Sequence, residues 1–139
     1  MTGKSEHVLV ELKKLKESYH QKALDCIKKT CEISNSPDYP ASIMDWQLNI
    51  HYTLKWLTWR MNSSYFIVSL LDDNVVGTGM LDGDEVKAVF VDPEFQRKGI
   101  GREIMNELEA FGVRQNLMEI HLNSSIPGFE VYKSRARPN

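Results

Sequence analysis

FVDPEFQRKGIGREIM, residues 90–105, is the stretch on which the reading of this chain turns. An apolar, strand-like run stops at Asp92-Pro93, glycines follow at Gly99 and Gly101, and a helical pattern then begins. Arg97, Lys98 and Arg102 crowd the start of that helix. A helix N-terminus already carries partial positive charge, so cations there are normally unfavourable. They make sense if an anion sits among them. The unpaired N–H groups of the first turn and the helix dipole would favour it. Gly99 and Gly101 would let a phosphate approach the backbone, and the three cations would add charge-assisted contacts. The competing reading is a surface turn with flexible glycines and solvated cations, and both stand at this point.

Two common nucleotide motifs fail here. A phosphate loop of the form GxxxxGK[ST] needs Lys-Ser or Lys-Thr, and none follows Gly101. A dinucleotide fingerprint, GxGxxG, needs a third glycine where Ile104 stands. That fingerprint also belongs in the first βα turn of a parallel sheet.

Upstream, the pattern is that of three strands. Tyr65 to Leu71, Val75 to Leu81 and Glu85 to Val91 are separated by the turn signals Asp72-Asp73-Asn74 and Asp82-Gly83-Asp84. Two tight turns predict an antiparallel meander. Gly77 and Gly79 inside the middle strand mark a bulge or a close approach. Downstream, Ile104, Leu108 and Phe111 recur at amphipathic helical spacing, and Leu117 to Leu122 is a further short strand. A helix between two strands is what a parallel crossover requires. The sheet is therefore expected to be mixed, an antiparallel meander followed by one β-α-β unit.

The first half is less regular. Val8, Val10 and Leu12 alternate as in a strand. Ser18-Tyr19-His20-Gln21 has the form of a capping box, with a helix from about Tyr19. Ser42 and Asp45 resemble a second cap, for a helix to about Ile50, and a third helix covers Leu54 to Met61. Trp46, Trp56 and Trp59 fall in this region, either as core or as the wall of an acceptor pocket.

The bulk properties limit the function. The 139 residues suit a single domain, residues 1–139. A net charge of −2 argues against a nucleic-acid partner. No apolar run is long enough to span a membrane, and the N-terminus has no signal-peptide core, so a cytoplasmic protein is expected. Cys26 and Cys31 have neither redox nor metal spacing and read as core or surface thiols. His7, His20, His51 and His121 form no metal-binding motif, and no metal is expected.

Gln96-Arg97-Lys98-Gly99-Ile100-Gly101 resembles the Q/R-x-x-G-x-G/A pyrophosphate loop of the GNAT superfamily, the acyl-CoA-dependent N-acetyltransferases. Val89 to Pro93 looks like the family's fourth strand and its stop, and Gly77-Thr78-Gly79 like its third strand. Ser124-Ser125 through Phe129 and Tyr132 resembles its closing segment. The resemblance runs over most of the chain, strongly from about residue 65 to 132. It implies an α+β fold (α/β by some schemes) with helices on both faces of the sheet.

The resemblance further implies acetyl-CoA as co-substrate and an amine of a small molecule or peptide as acceptor. Arg97, Lys98, Gly99, Ile100, Gly101 and Arg102, entered from Gln96, would hold the pyrophosphate. The pantetheine would follow the edge of the strand at Phe90 and Val91, and Asn123 matches a frequent coenzyme contact. Tyr132 matches the tyrosine that serves as acid to the departing thiolate. Glu85 stands eleven residues before Gln96, as the glutamate base of the histone-acetylating branch does; its other reading is an exposed strand-start carboxylate. As a strand residue it would share a face with Lys87, Val89 and Val91. His121 and His51 are weaker candidates for the base.

One departure stands out. Relatives continue Tyr-x-x-x-Gly-Phe and add two strands, whereas here Tyr132 is followed by Lys133-Ser134-Arg135-Ala136-Arg137-Pro138-Asn139. The fifth strand is therefore expected as an exposed edge, covered by a homodimer or another device. The shortened end also leaves two other readings: a non-catalytic coenzyme A-binding module, and a phosphate-binding interaction domain.

Overall fold

The computed structural model describes residues 9–35, 40–122 and 133–134. Asn123, Tyr132 and the segment between them lie outside the described residues. The elements run β1 (Glu11–Lys14), α1 (His20–Thr30), α2 (Ala41–Trp46), α3 (Leu54–Ser63), β2 (Tyr65–Leu71), β3 (Asn74–Asp82), β4 (Glu85–Val91), α4 (Ile100–Arg114), β5 (Ile120–Leu122) and β6 (Lys133–Ser134). All strands join one sheet in sequence order. Among the described residues only β4 and β5 pair in parallel, and α4 makes that crossover.

The meander follows from its turns. Asp72 and Asp73 both take positive φ, 54° and 69°, the backbone of a two-residue type I′ hairpin. Gly83, at φ 64°, turns β3 into β4. Alternation then sorts the side chains to two faces. Phe66, Val68, Leu70, Val75 and Met80 join Ala23, Leu24, Ile27 and Leu57 in one core beneath α1 and α3. Ile67, Val76, Leu81, Val86 and Ile120 join Ile104 and Leu108 in the other, beneath α4.

Gly77 and Gly79 mark a close approach. A Cβ on Gly77 would lie 2.9 Å from Ile104 Cδ1, and one on Gly79 would overlap Ile104 Cγ2. These two positions let α4 settle directly on β3.

Several local expectations shift. Ser18 does not cap α1; Tyr19 stands at the N-cap with no side-chain bond, after a short 3-10 turn over Glu17–Tyr19. Pro40, not Ser42, precedes α2, which continues as a wide π turn over Gln47–His51. Thr53 does cap α3, accepting from Trp56 N at 3.1 Å. β1 begins later than the alternation suggested, with Val10 and Leu12 packing toward the α4 core.

β5 starts at Ile120 because Leu117 is engaged in ending α4. Asn116 is left-handed at φ 64°. Asn116 N donates to Val113 O and Leu117 N to Gly112 O, both at 2.9 Å, which is a Schellman closure. The edge of β5 also differs from expectation. Ser134 pairs with Ile120 and Lys133 with His121, so the chain's own β6 covers those two positions. The covering requires no second copy there.

Candidate functional site

β4 is irregular where the chemistry was expected. Thr78 faces Phe90 and Met80 faces Lys87, so Gly79 spans both Ala88 and Val89. Ala88 takes positive φ, 54°, which a non-glycine residue adopts only at a cost of about 1–2 kcal/mol. Thr78 Oγ1 donates to Ala88 O at 2.8 Å and holds the bulge.

The bulge reverses the facing of the strand. Val86, Val89 and Val91 all pack toward α4, while Ala88 and Phe90 pack toward α1 and α3. Glu85 and Lys87, 3.3 Å apart, lie on the side of Arg60 of α3 through Asp82. The expected shared face of Glu85 with Val89 and Val91 is therefore corrected: one extra residue puts the valines on the opposite side.

β4 and β5 pair at Glu85↔His121 and Val86↔Leu122. From Lys87 to Val91, β4 has no strand partner on that side among the described residues. Its backbone there offers an edge that leads straight to the loop.

The loop is built from Asp92 outward. Asp92 is only 8% exposed, and its N donates to Val76 O at 2.9 Å. Its carboxylate accepts from Glu94 N at 2.9 Å, and its carbonyl from Phe95 N at 2.8 Å, closing a single turn over Pro93–Phe95. Gln96 Nε2 donates back to Val91 O at 3.0 Å. Arg97 and Gly99 are both left-handed, φ 65° and 88°, and Gly99 stands at the N-cap of α4. Alternation of left- and right-handed residues can turn successive N–H groups toward one concavity, a geometry suited to an anion. Arg97 and Arg102 are exposed and Lys98 is half-buried around it. Gly101 meets Val91 Cγ2 at an ordinary 3.7 Å from a notional Cβ.

The α1–α3 side of β4 carries a chain of rings. Tyr52 lies edge-on to Phe90 at 5.7 Å and to Trp56 at 5.0 Å. His51 contacts Tyr52 at 4.4 Å and stacks on Trp46 at 4.7 Å. Trp46 is 46% exposed, so the chain runs from β4 to the surface. Burial, and secondarily the Arg60 charge, lower the His51 pKa from its ordinary 6.5. Arg60 pairs with Asp82 at 2.9 Å and stacks on Trp59, 4.1 Å from the ring centre.

The structure thus brings Phe90, Val91, Gln96, Arg97, Lys98, Gly99, Ile100, Gly101 and Arg102 into one continuous strand–loop–helix unit. Ile100 differs from the others in being buried, in the α4 core. Glu85 sits at the far end of β4 from that loop. His121 pairs with Glu85 in the ladder, and Glu119 lies 3.6 Å from its ring. Cys26 and Cys31 are buried free thiols, and burial pushes both up to about 12, where they stay protonated. Among the described residues no group of three His, Cys, Asp or Glu side chains is placed to hold a metal. Sequence reading missed Ala88 and Lys29. A bulge at an alanine has no local signal, and Lys29 reaches Asp92 from 63 positions away.

Solved structures share the fold at low identity. The PaiA N-acetyltransferase of Thermoplasma acidophilum, in complex with coenzyme A, is 15% identical, with a TM-score of 0.75 over 83% of this chain and 79% of that one. A GCN5-related N-acetyltransferase of Rhodopseudomonas palustris is 14% identical, with a TM-score of 0.80 over 88% and 78%. The ribosomal-protein-S18-alanine N-acetyltransferase of Escherichia coli is 13% identical, with a TM-score of 0.60 over 82% and 66%. No curated protein sequence matches the chain. The sequence model of the acetyltransferase (GNAT) family matches residues 27–134, well over half of the chain and including all of the strand–loop–helix unit. The chain belongs to the acetyltransferase (GNAT) family.

Proposed function

We propose that this protein is an acetyl-CoA-dependent N-acetyltransferase whose acceptor is a primary amine of a small molecule or a protein. Family membership supports acetyl-CoA-dependent acetyl transfer as the general activity. One observation carries the reading to these residues: a stretch of β4 edge with no strand partner among the described residues runs directly into a left-handed loop at a helix N-terminus. An extended chain with amides at one end and phosphates at the other suits that sequence of surfaces.

In this reading the backbone from Arg97 to Arg102 receives the pyrophosphate, with the three cations around it. The side chain of Gln96 braces the loop against Val91. The β4 edge near Phe90 and Val91 pairs with the pantetheine amides, and Asn123 adds a further contact. Tyr52, Trp56 and His51 flank the acceptor, beside Phe90.

Transfer needs a neutral amine, and Glu85 takes its proton. The amine nitrogen then forms a bond to the thioester carbonyl carbon, and the carbon–sulfur bond breaks. Tyr132 gives its proton to the departing thiolate, and the nitrogen sheds its second proton as the amide forms, which restores the tyrosine through solvent.

Calorimetry with acetyl-CoA and with inorganic phosphate tests the donor; thiol release with polyamines, amino acids and peptides tests the transfer. Acetyl-CoA binding together with acetylation of at least one amine is expected. Binding with no acetylation across the panel would leave a coenzyme-binding module instead. Tyr132→Phe should slow turnover while nearly preserving coenzyme affinity, and unchanged turnover would remove Tyr132 from the mechanism.

A further inference from the structure

Two carboxylates stand where the proposed anion loop begins. Asp92 closes β4 and caps the first turn of the loop, and Glu94 lies within that turn. Negative charge at this place would oppose a pyrophosphate a few residues on. At physiological ionic strength the screening length is about 8 Å, so charges at the mouth of the loop are felt by a ligand inside it.

A single cation from the other side of the sheet meets both. Lys29 Nζ, in the last turn of α1, lies 3.1 Å from Asp92 Oδ1 and 3.0 Å from Glu94 Oε2. The next residue, Thr30, donates its hydroxyl to Cys26 O at 2.8 Å within α1, and Val91 O lies beside that hydroxyl at 3.4 Å. The Val91 carbonyl accepts the Gln96 side chain. The end of α1 is thus fastened to the point where strand becomes loop. Asp92 is nearly buried and also bonds Val76 and Phe95 through its backbone, so its position dictates where the loop sets out.

We propose that Lys29 is a positioning residue of the coenzyme site, tethering the loop head through Asp92 and Glu94 and offsetting one of the two negative charges they would turn on the phosphates. The proposal rests on the coenzyme reading above. It assigns a role in binding to a helix that contributes nothing to the loop's own sequence. Lys29 also reduces the opposition that Asp92 and Glu94 would offer to an anion beside them.

The test measures coenzyme A affinity by calorimetry for wild type, Lys29→Met, Lys29→Gln and Lys29→Arg, with a melting curve for each. Lys29→Met should weaken binding about tenfold, the size of one lost charge-assisted contact. Lys29→Arg should restore affinity to within about threefold, because it keeps both the charge and the two contacts. Lys29→Gln keeps a hydrogen-bonding group beside buried Asp92, so it serves where the methionine variant melts too early. It should still bind several-fold more weakly, and its deficit should shrink as salt is raised. In Lys29→Met, adding Glu94→Gln should recover part of the affinity, which a purely structural tether would not do.

Folded Lys29→Met or Lys29→Gln protein with wild-type affinity overturns the proposal. So does a lowered melting temperature with unchanged affinity. Wild-type protein that fails to bind coenzyme A is a different result: it removes the coenzyme reading itself, and the role of Lys29 with it.

Discussion

The two faces of the sheet are built on opposite plans. Beneath α4, aliphatic side chains and two glycines bring helix and strand into direct contact, and Ile100, Ile104 and Leu108 are almost fully enclosed. Beneath α1 to α3, aromatic rings run from Phe90 to a half-exposed Trp46, the helices are short, and π turns interrupt them. The α4 face holds a loop of fixed shape at a helix N-terminus. The other face leaves Ile43, Trp46, Ile50, Leu54 and Trp59 partly in solvent. In the proposed reading, the difference suits a two-substrate enzyme. An invariant ligand such as a coenzyme is served by close packing, and a variable acceptor by a looser aromatic wall.

Substitutions can break or sharpen that contrast. The largest effect is expected at Gly79. Its Cβ would overlap Ile104, so Gly79→Val should cost about 3 kcal/mol in chemical denaturation and drag the loop out of place. A stability near wild type would mean that α4 yields more easily than its packing implies.

Next comes Gly99, whose φ of 88° no branched residue adopts without strain. Gly99→Val should cost about 2 kcal/mol and weaken acetyl-CoA binding well beyond that of a surface control, because a side chain also blocks approach to the backbone. Unaltered affinity would refute the cradle.

On the looser face, Trp46→Ala should cost only about 1 kcal/mol, since the stacked pair with His51 is half open to water. Its larger consequence should be a raised KM for the acceptor at unchanged coenzyme affinity. Equal effects on both substrates would erase the division between the faces.

The smallest effect is a pH dependence. Burial and Arg60 lower the His51 pKa below 6.5, so the folded chain prefers the neutral ring. The unfolded chain takes up a proton first as the pH drops through about 6.5. Stability should therefore decline from pH 7 downward through that window, and the slope should lessen in His51→Gln. A slope unchanged by the substitution would assign the dependence to other groups.

Much of this was legible from residues near one another in the chain. Asp72-Asp73 and Gly83 specify turns through their tolerance of positive φ, and the three strands between them follow. The glycines at 99 and 101 announced a helix start, which the chain forms at Ile100. Helix ends were read less well. Ser18 and Ser42 had the right chemistry for caps, but neither stands at the residue where its helix begins. β5 was drawn too long because Leu117 reads as a strand residue by composition and is used to close α4.

What the sequence determined by itself is therefore the order of elements and the local character of the loop, because hairpin turns, alternation and a glycine-rich helix start depend on neighbouring residues. The tertiary structure alone decided which residues face which side of the sheet. The bulge at Ala88 reverses β4 through a bond from Thr78, ten positions earlier. The loop head is secured by Lys29, 63 positions from Asp92. The edge of β5 is met by Lys133 and Ser134. Each depends on segments that become neighbours only when the sheet and its two helical layers pack, and no local pattern encodes such a meeting.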